Sequence, residues 1–314
     1  MKAWQLVGKR RPLVLDRELP DPAPTWGEVV IDVRAAGLCH SDIGFIEHDG
    51  FRPPHLPFIL GHEIAGVISQ IGPGVAGWCP GDRVSVSGPG DDLPGLDRDG
   101  GYAEQVVVRA DHVMGLPGSL PFELAAVAMD AGATSHAAVM TGAQAAAGKK
   151  IGIIGFGGLG QFGVRLARHA GAEVYVSEIR QDVWPSALAA GAVAVAPRIT
   201  DFADRDLDAI VDFAGFGTTT TDAMKAVRRH GRVVQVGLGV TEATLSMLDL
   251  TLGRITLVGI MGGEREDSRR VCDLLATRDI HVDVQRVRFD EIPRALDRLR
   301  RGDVVGRVVA MMDG

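Results

Sequence analysis

The chain has 314 residues, of which 46% are hydrophobic and 23% charged, an ordinary balance for a folded protein with a sizeable core. At roughly 100–200 residues per domain, that length suggests two domains. Lys and Arg number 33 against 40 Asp and Glu, for a net charge of −7 with no dense basic run, which argues against a nucleic-acid or anionic-membrane partner.

Three cysteines, Cys39, Cys79 and Cys272, are too few and too widely spaced for a disulfide framework. A reducing, cytoplasmic setting is the expectation. The opening Met1-Lys2-Ala3-Trp4-Gln5 lacks the pattern of a signal peptide, and no apolar run approaches the about 18 residues of a membrane span.

In chain order, Glu28–Ala35 alternates polar and apolar positions and predicts a half-buried strand, as do Ile64–Ile71 and Gln105–Arg109. Turn residues punctuate this half heavily, at Gly72-Pro73-Gly74, Pro80-Gly81-Asp82 and Gly88-Pro89-Gly90. Near Asp130 the pattern changes. Lys150–Ile154 predicts a short apolar strand. Leu159, Phe162, Leu166 and Ala170 then recur at helical spacing, and Gly171 closes that helix. Strands are expected at Glu173–Ser177, Asp208–Phe213, Arg232–Leu238 and Thr256–Ile260, with a helix over Thr220–Arg229. Alternating strands and helices imply a doubly wound parallel sheet. The end of the chain predicts a helix near Glu264–Thr277, a strand near Val282–Arg288, a helix near Asp290–Arg301 and a last strand near Arg307–Met311. The expected division is 1–130 with 262–314 as one domain and 131–261 as the other.

Two constellations carry chemistry. Gly155-Phe156-Gly157-Gly158-Leu159-Gly160 lies between a predicted strand and a predicted helix, the context a dinucleotide loop requires. Gly155 would allow the tight turn, Gly157 the approach of a pyrophosphate, and Gly160 close helix–strand packing. The helix N-terminus would then receive the anion. An acidic residue is expected about 20 residues on, to bind the adenosine ribose. Glu178 fits and argues for NAD. Arg180 complicates the choice, because it could stack on adenine or pair with the 2′-phosphate of NADP. The second constellation is Gly37-Leu38-Cys39-His40-Ser41-Asp42, after a strand, and Gly61-His62-Glu63, before another. A lone cysteine is usually a small buried hydrophobe. Together, Cys39 and His62 offer a thiolate and an imidazole, which suit zinc; a catalytic zinc takes three protein ligands and keeps one open position.

On these motifs, with Pro80-Gly81-Asp82-Arg83-Val84, Gly100-Gly101-Tyr102-Ala103-Glu104 and Gly306-Arg307-Val308-Val309, the whole chain resembles the zinc-containing alcohol dehydrogenase branch of the medium-chain dehydrogenase/reductase superfamily. The resemblance implies an α/β chain with a β-rich GroES-like catalytic domain and a Rossmann cofactor domain. It implies a catalytic zinc on Cys39, His62 and Asp130, the last standing where many members have cysteine. Glu63 matches a carboxylate near the zinc, Asp42 the acid that orients His62, and Ser41 the hydroxyl that touches the substrate oxygen. Gly155, Gly157, Gly158, Leu159, Gly160, Glu178 and Arg180 would hold the cofactor, and Arg307 would reach its pyrophosphate. The implied reaction is hydride transfer between NAD, or NADP, and a small alcohol or carbonyl, in a homo-oligomer (dimer or tetramer).

The sequence departs from that pattern twice. Ser87–Gly100 contains no cysteine, so the structural zinc and the lobe that binds it in many members are expected to be absent. Gly44 stands where many members have a proton-relaying histidine; His48 or His55 could take its place. That departure leaves room for a reductase of activated C=C or C=N bonds on the same fold. A non-catalytic cofactor-binding protein would have no need of an open metal site.

Overall fold

The strand Glu28–Leu38 forms the spine of the first half of the chain. The computed structural model describes residues 1–87 and 90–312; Gly88 and Pro89 of the expected turn lie outside them. The strand runs three residues beyond its expected end, because Ala35, Ala36 and Leu38 are all fully buried. It pairs antiparallel with Glu63–Ile71 along one edge. Its other edge is shared: residues 28–32 pair with Gln105–Arg109, and residues 35–38 with Arg307–Met311. The completed seven-stranded sheet also holds Val284–Arg288, Arg83–Val86 and Val113–Gly115. Val29, Ile31, Ile64, Ile68, Val106 and Val308 fill its core. Each such side chain contributes roughly 1.5–3 kcal/mol by leaving water. The register opposes Gly37 to Glu63, so the chain leaves one strand at Cys39 where it enters the other at His62.

Two helical segments of this half carry no clear sequence signal. His40–Glu47 is a helix whose N-cap is Cys39, with the Asp42 carboxylate accepting the Cys39 N–H at 2.9 Å. Phe122–Val127 is a helix that runs into a wide π turn over Ala128–Gly132, which carries Asp130.

The second half is a six-stranded parallel sheet in the order Ala194–Ala196, Glu173–Ser177, Lys150–Ile154, Leu207–Asp212, Val227–Gln235, Thr256–Gly259. In chain order that is 3-2-1-4-5-6, the doubly wound order of dinucleotide-binding sheets, whose ligand crevice lies where the strand order reverses. Lys150–Ile154 and Glu173–Ser177 match their expected limits. The helix expected over Thr220–Arg229 ends instead at Ala226, and Val227–Gln235 is a strand bent at His230, whose φ is 62°. Among the additions are the first-half helices, the strands Ala3–Leu6, Arg83–Val86 and Ala194–Ala196, and the helices Trp184–Ala189 and Met247–Gly253.

Two units result: Met1–Asp130 with Ser268–Ala276 and the chain from Val284, and Ala131–Asp267 with Thr277–Asp283. Residues 262–267 and Thr277–Asp283 thus group with the second unit rather than the first. Side-chain bonds account for this. Asp267 binds His136 at 2.5 Å, and the Asp283 backbone exchanges two hydrogen bonds with the Gln161 amide at 2.8 and 3.1 Å. Among the described residues, no helix is long and apolar enough to cross a membrane.

Candidate metal and cofactor sites

Cys39, His62 and Asp130 come together in the first unit, each offering one ligand atom within 4.8 Å of the others. Cys39 Sγ lies 3.4 Å from Asp130 Oδ2, and His62 Nε2 lies 3.5 Å from the same oxygen. Ligands on a tetrahedral zinc, at bond lengths of about 2.0–2.3 Å, stand about 3.3–3.8 Å apart. The donor set and its spacing therefore fit zinc. Asp130 owes its place to the π turn, a helical irregularity that often marks functional sites.

Asp42 braces this trio and is wholly buried. Its Oδ2 accepts from the Cys39 N–H at 2.9 Å and the Tyr102 hydroxyl at 2.7 Å. Its Oδ1 faces the Gly61 N–H at 3.3 Å and His62 Nδ1 at 3.4 Å. A carboxylate beside Nδ1 favours the proton there and leaves Nε2 to face the other ligands. Tyr102, quoted above only as part of a glycine-rich motif, is thus a member of the site. Gly61 makes room for it: at φ +93°, an added Cβ would stand 2.5 Å from the Tyr102 ring. Gly37 does the same for Glu63, whose carboxylate would lie 1.8 Å from a Cβ there. Ser41 Oγ lies 3.6 Å from Cys39 Sγ, so a hydroxyl borders the trio.

Arg307 binds Glu63 and lies 3.7 Å from Asp130 Oδ2. The residue matched by resemblance to a cofactor pyrophosphate is therefore engaged with the acids of the first unit. Burial raises the Glu63 carboxyl to about 7, with Asp130 adding to the effect and Arg307 and His62 opposing it. Burial also disfavours charge on His62 and Asp130. Asp42 and Asp130 outweigh it at His62 and hold the ring well above the usual histidine range. His62 and Arg307 outweigh it at Asp130 and hold that carboxylate well below its usual range. A cluster that holds a proton on imidazole among acids is one a divalent ion can enter by displacing that proton.

The surroundings of Gly44 are tight. A Cβ on Gly44 would meet the Phe51 ring at 3.2 Å. His48 is an exposed residue at the end of its helix. His55 is also exposed, with Nδ1 2.8 Å from the Pro57 carbonyl and Nε2 3.8 Å from Asp99.

In the second unit, the glycine loop has the form of a phosphate cradle. Gly155 has φ +88°, and a Cβ on Gly160 would stand 1.9 Å from the Gly155 carbonyl. An added Cβ on Gly157 meets nothing within 4 Å. Gly157 is exposed and Gly158 half-buried, while Leu159 caps the helix Gly160–His169. This is open space above a helix N-terminus, where unpaired N–H groups favour an anion. Glu178 closes the far side, its two oxygens accepting from the Phe156 and Arg180 N–H groups at 2.8 Å each. The Arg180 guanidinium binds Asp182.

Residues 25–118 match the family described as alcohol dehydrogenase GroES-like domain, and residues 158–277 the family described as zinc-binding dehydrogenase. An alcohol dehydrogenase of Geobacillus stearothermophilus is 32% identical over an alignment of 340 positions that covers all of both chains. The chain belongs to the zinc-type alcohol dehydrogenase family of medium-chain dehydrogenases/reductases. An NADP-dependent alcohol dehydrogenase of Mycolicibacterium smegmatis is 29% identical, over 90% of this chain and 89% of its own. Among solved structures, acetophenone reductase of Geotrichum candidum in complex with NAD is 28% identical, with a TM-score of 0.91 over 99% of this chain and 96% of that one. As a family member the chain is an oxidoreductase with a small-molecule substrate, built of a GroES-like domain and a Rossmann-type parallel sheet.

Proposed function

We propose that this family member interconverts an alcohol and its carbonyl compound, with one catalytic zinc on Cys39, His62 and Asp130 and NAD as hydride carrier. The observation that carries the reading is the convergence of a thiolate, an imidazole and a carboxylate at tetrahedral ligand spacing. When bound, zinc supplies Lewis acidity toward an oxygen, and the nicotinamide supplies or accepts a hydride.

The chain's own residues do the rest. Asp42 holds the His62 ring through Nδ1, and Tyr102 holds Asp42. The Ser41 hydroxyl, beside Cys39, holds the proton of the substrate hydroxyl. With Phe51 packed against Gly44, that proton passes from Ser41 to water without a side-chain relay at residue 44. Glu63 is kept beside the ligands by Arg307 and by the missing side chain of Gly37. The glycine loop and the helix N-terminus receive the pyrophosphate, and Glu178 receives the ribose hydroxyls. Each Glu178 oxygen already accepts one backbone N–H and keeps a lone pair for a hydroxyl.

The reading includes no structural zinc, in keeping with the absence of cysteine from Ser87–Gly100. It also includes a homo-oligomer, dimer or tetramer, and a reducing cytoplasmic setting that suits three free thiols. Metal analysis of purified protein, with NADH and NADPH titrations and an alcohol panel, tests it. The expected result is about one zinc per chain, tighter NADH than NADPH, and NADH formed from alcohols. Protein without zinc, or a Cys39→Ser variant with full turnover, would overturn it. Inert alcohols together with NAD(P)H consumption by an enal or iminium compound would move the activity to reduction of C=C or C=N.

A further inference from the structure

Asp212 is a wholly buried carboxylate that belongs neither to the zinc trio nor to the glycine loop. It ends the strand Leu207–Asp212 and lies level with Ile154, the residue before Gly155. These two strands are the neighbours between which the order of the parallel sheet reverses, and an open sheet binds its ligand there, beyond the carboxyl ends of the strands. Donors converge on Asp212. Its Oδ1 accepts the N–H groups of Ala214 and Gly215 at 3.0 and 2.8 Å, and its Oδ2 accepts the Thr219 hydroxyl at 2.7 Å. The Thr219 oxygen accepts the Phe216 N–H at 3.0 Å in turn. The Thr220 hydroxyl lies 3.0 Å from Asp212 Oδ2 and 2.8 Å from Gln235 Oε1, and the Gln235 amide donates to the Gly237 carbonyl at 2.6 Å. Backbone bonds complete the assembly, from the Gly237 N–H to the Asp212 carbonyl and from the Val240 N–H to the Gly215 carbonyl, both at 3.0 Å. Gly215 has φ +67°, and a Cβ there would stand 1.9 Å from the Gly237 carbonyl. Ala214 borders the glycine loop, 3.7 Å from where a Cβ on Gly155 would stand.

We propose that Asp212 is a positioning residue for the dinucleotide: it fixes the loop 213–217 beside the glycine loop, so that this wall of the crevice is formed before the cofactor arrives. The proposal rests on the nicotinamide reading above, though not on the choice between NAD and NADP. Without its anchor, a loop that holds Gly215 and Gly217 at φ +67° and +73° has other conformations open to it. Ordering it again on binding would cost conformational entropy and so weaken the cofactor. Asp208 provides the contrast. It stands near the other end of the same strand, where it accepts the Lys150 N–H at 2.9 Å and serves the sheet alone.

The test uses the full-length protein as wild type, Asp212→Asn, Thr219→Val, Thr219→Ser and Asp208→Asn. Melting is followed by calorimetry. Dissociation constants for NADH and NADPH are measured by nicotinamide fluorescence, well below the melting temperature. There a purely structural loss leaves nearly all the protein folded, so it lowers the melting temperature and spares the dissociation constants. Thr219→Val removes the hydroxyl that joins Phe216 to Asp212, and should weaken the preferred cofactor about three- to tenfold, the range one hydrogen bond supports. Thr219→Ser keeps that hydroxyl and should restore wild-type binding. Asp212→Asn should lose at least as much as Thr219→Val. Asp208→Asn should melt earlier and bind like the wild type. Wild-type binding by Thr219→Val, or an equal loss in Asp208→Asn, overturns the proposal, and Thr219→Val decides it even where Asp212→Asn does not fold. A wild type that binds neither NADH nor NADPH overturns the nicotinamide reading instead.

Discussion

Arg307 and Glu63, 244 residues apart in sequence, form an ion pair in which their side chains are 3% and 0% exposed. The pair joins the start of the last strand to the start of the strand that follows His62. Removing one partner of such a buried pair typically costs about 3–5 kcal/mol. Arg307→Met should lower the urea midpoint accordingly. Replacing both partners by apolar residues, as in Arg307→Met with Glu63→Leu, should recover part of the loss. A midpoint unchanged in the single variant would show that the pair contributes nothing.

Asp42 links the Cys39 backbone, the Tyr102 hydroxyl and the His62 ring. Residues that orient a metal-binding histidine typically change metal affinity by about 10–100-fold when altered. Asp42→Asn should weaken zinc binding within that range, measured by competition with a chromophoric chelator. Tyr102→Phe removes one of the carboxylate's partners and should weaken it less. Wild-type affinity in both variants would remove the bracing role.

The parts of this structure that were legible in the sequence are those whose causes lie close together in the chain. The apolar run Lys150–Ile154, its glycine loop and the amphipathic helix after it are local patterns, and the strand has its expected limits. Cys39 and His62 stand out by ligand chemistry. Asp130 does not: an acid inside a helix is ordinary, and its reach toward Cys39 depends on a π turn that no local pattern announces. The helix His40–Glu47 is hidden because its first turn is stabilised by Asp42 on the Cys39 N–H rather than by apolar periodicity. Tyr102 meets Asp42 across 60 residues, and Arg307 meets Glu63 across 244, so only the folded sheet brings those partners together.

Gly157 and Gly160 separate the two demands on the dinucleotide loop. A Cβ on Gly160 would stand 1.9 Å from the Gly155 carbonyl, whereas one on Gly157 meets nothing within 4 Å. Gly160→Ala should therefore destabilise the cofactor-free protein by about 1–3 kcal/mol, as overpacking does. Gly157→Ala should leave its melting temperature unchanged and weaken NADH binding by obstructing the pyrophosphate. Calorimetry of melting, with and without NADH, checks both. Undiminished NADH binding by Gly157→Ala would count against a phosphate cradle.

The three thiols differ in environment. Cys79 is exposed, while Cys39 and Cys272 are buried. Burial pushes the Cys272 thiol up to about 12, with Asp273 adding to the effect, so almost no reactive thiolate forms at neutral pH. Titration of zinc-loaded protein with an aromatic disulfide should show one fast thiol, and Cys79→Ser should abolish it. Chelation should then make Cys39 react, more slowly because it is buried. Two fast thiols in the zinc-loaded protein would contradict these placements.

Asp208 ties three segments of the parallel sheet together. Its carboxylate accepts the Lys150 N–H at 2.9 Å, Lys149 Nζ at 3.3 Å, and Arg228 Nε and Nη2 at 3.1 and 2.9 Å. Burial alone would raise its pKa. The Lys150 N–H, Arg228 and Lys149 outweigh burial and hold it below the ordinary carboxylate value. A group with a depressed folded-state pKa stabilises the fold fully above its unfolded pKa, near about 3.9, and loses that contribution as pH falls through the folded value. Asp208→Asn should therefore cost about 1–3 kcal/mol at neutral pH, by loss of charge-assisted hydrogen bonds. The gap between variant and wild type should narrow as pH drops below about 4. Urea midpoints of both proteins from pH 7 downward measure this, and a gap that widened toward acid would reverse the sign of the argument.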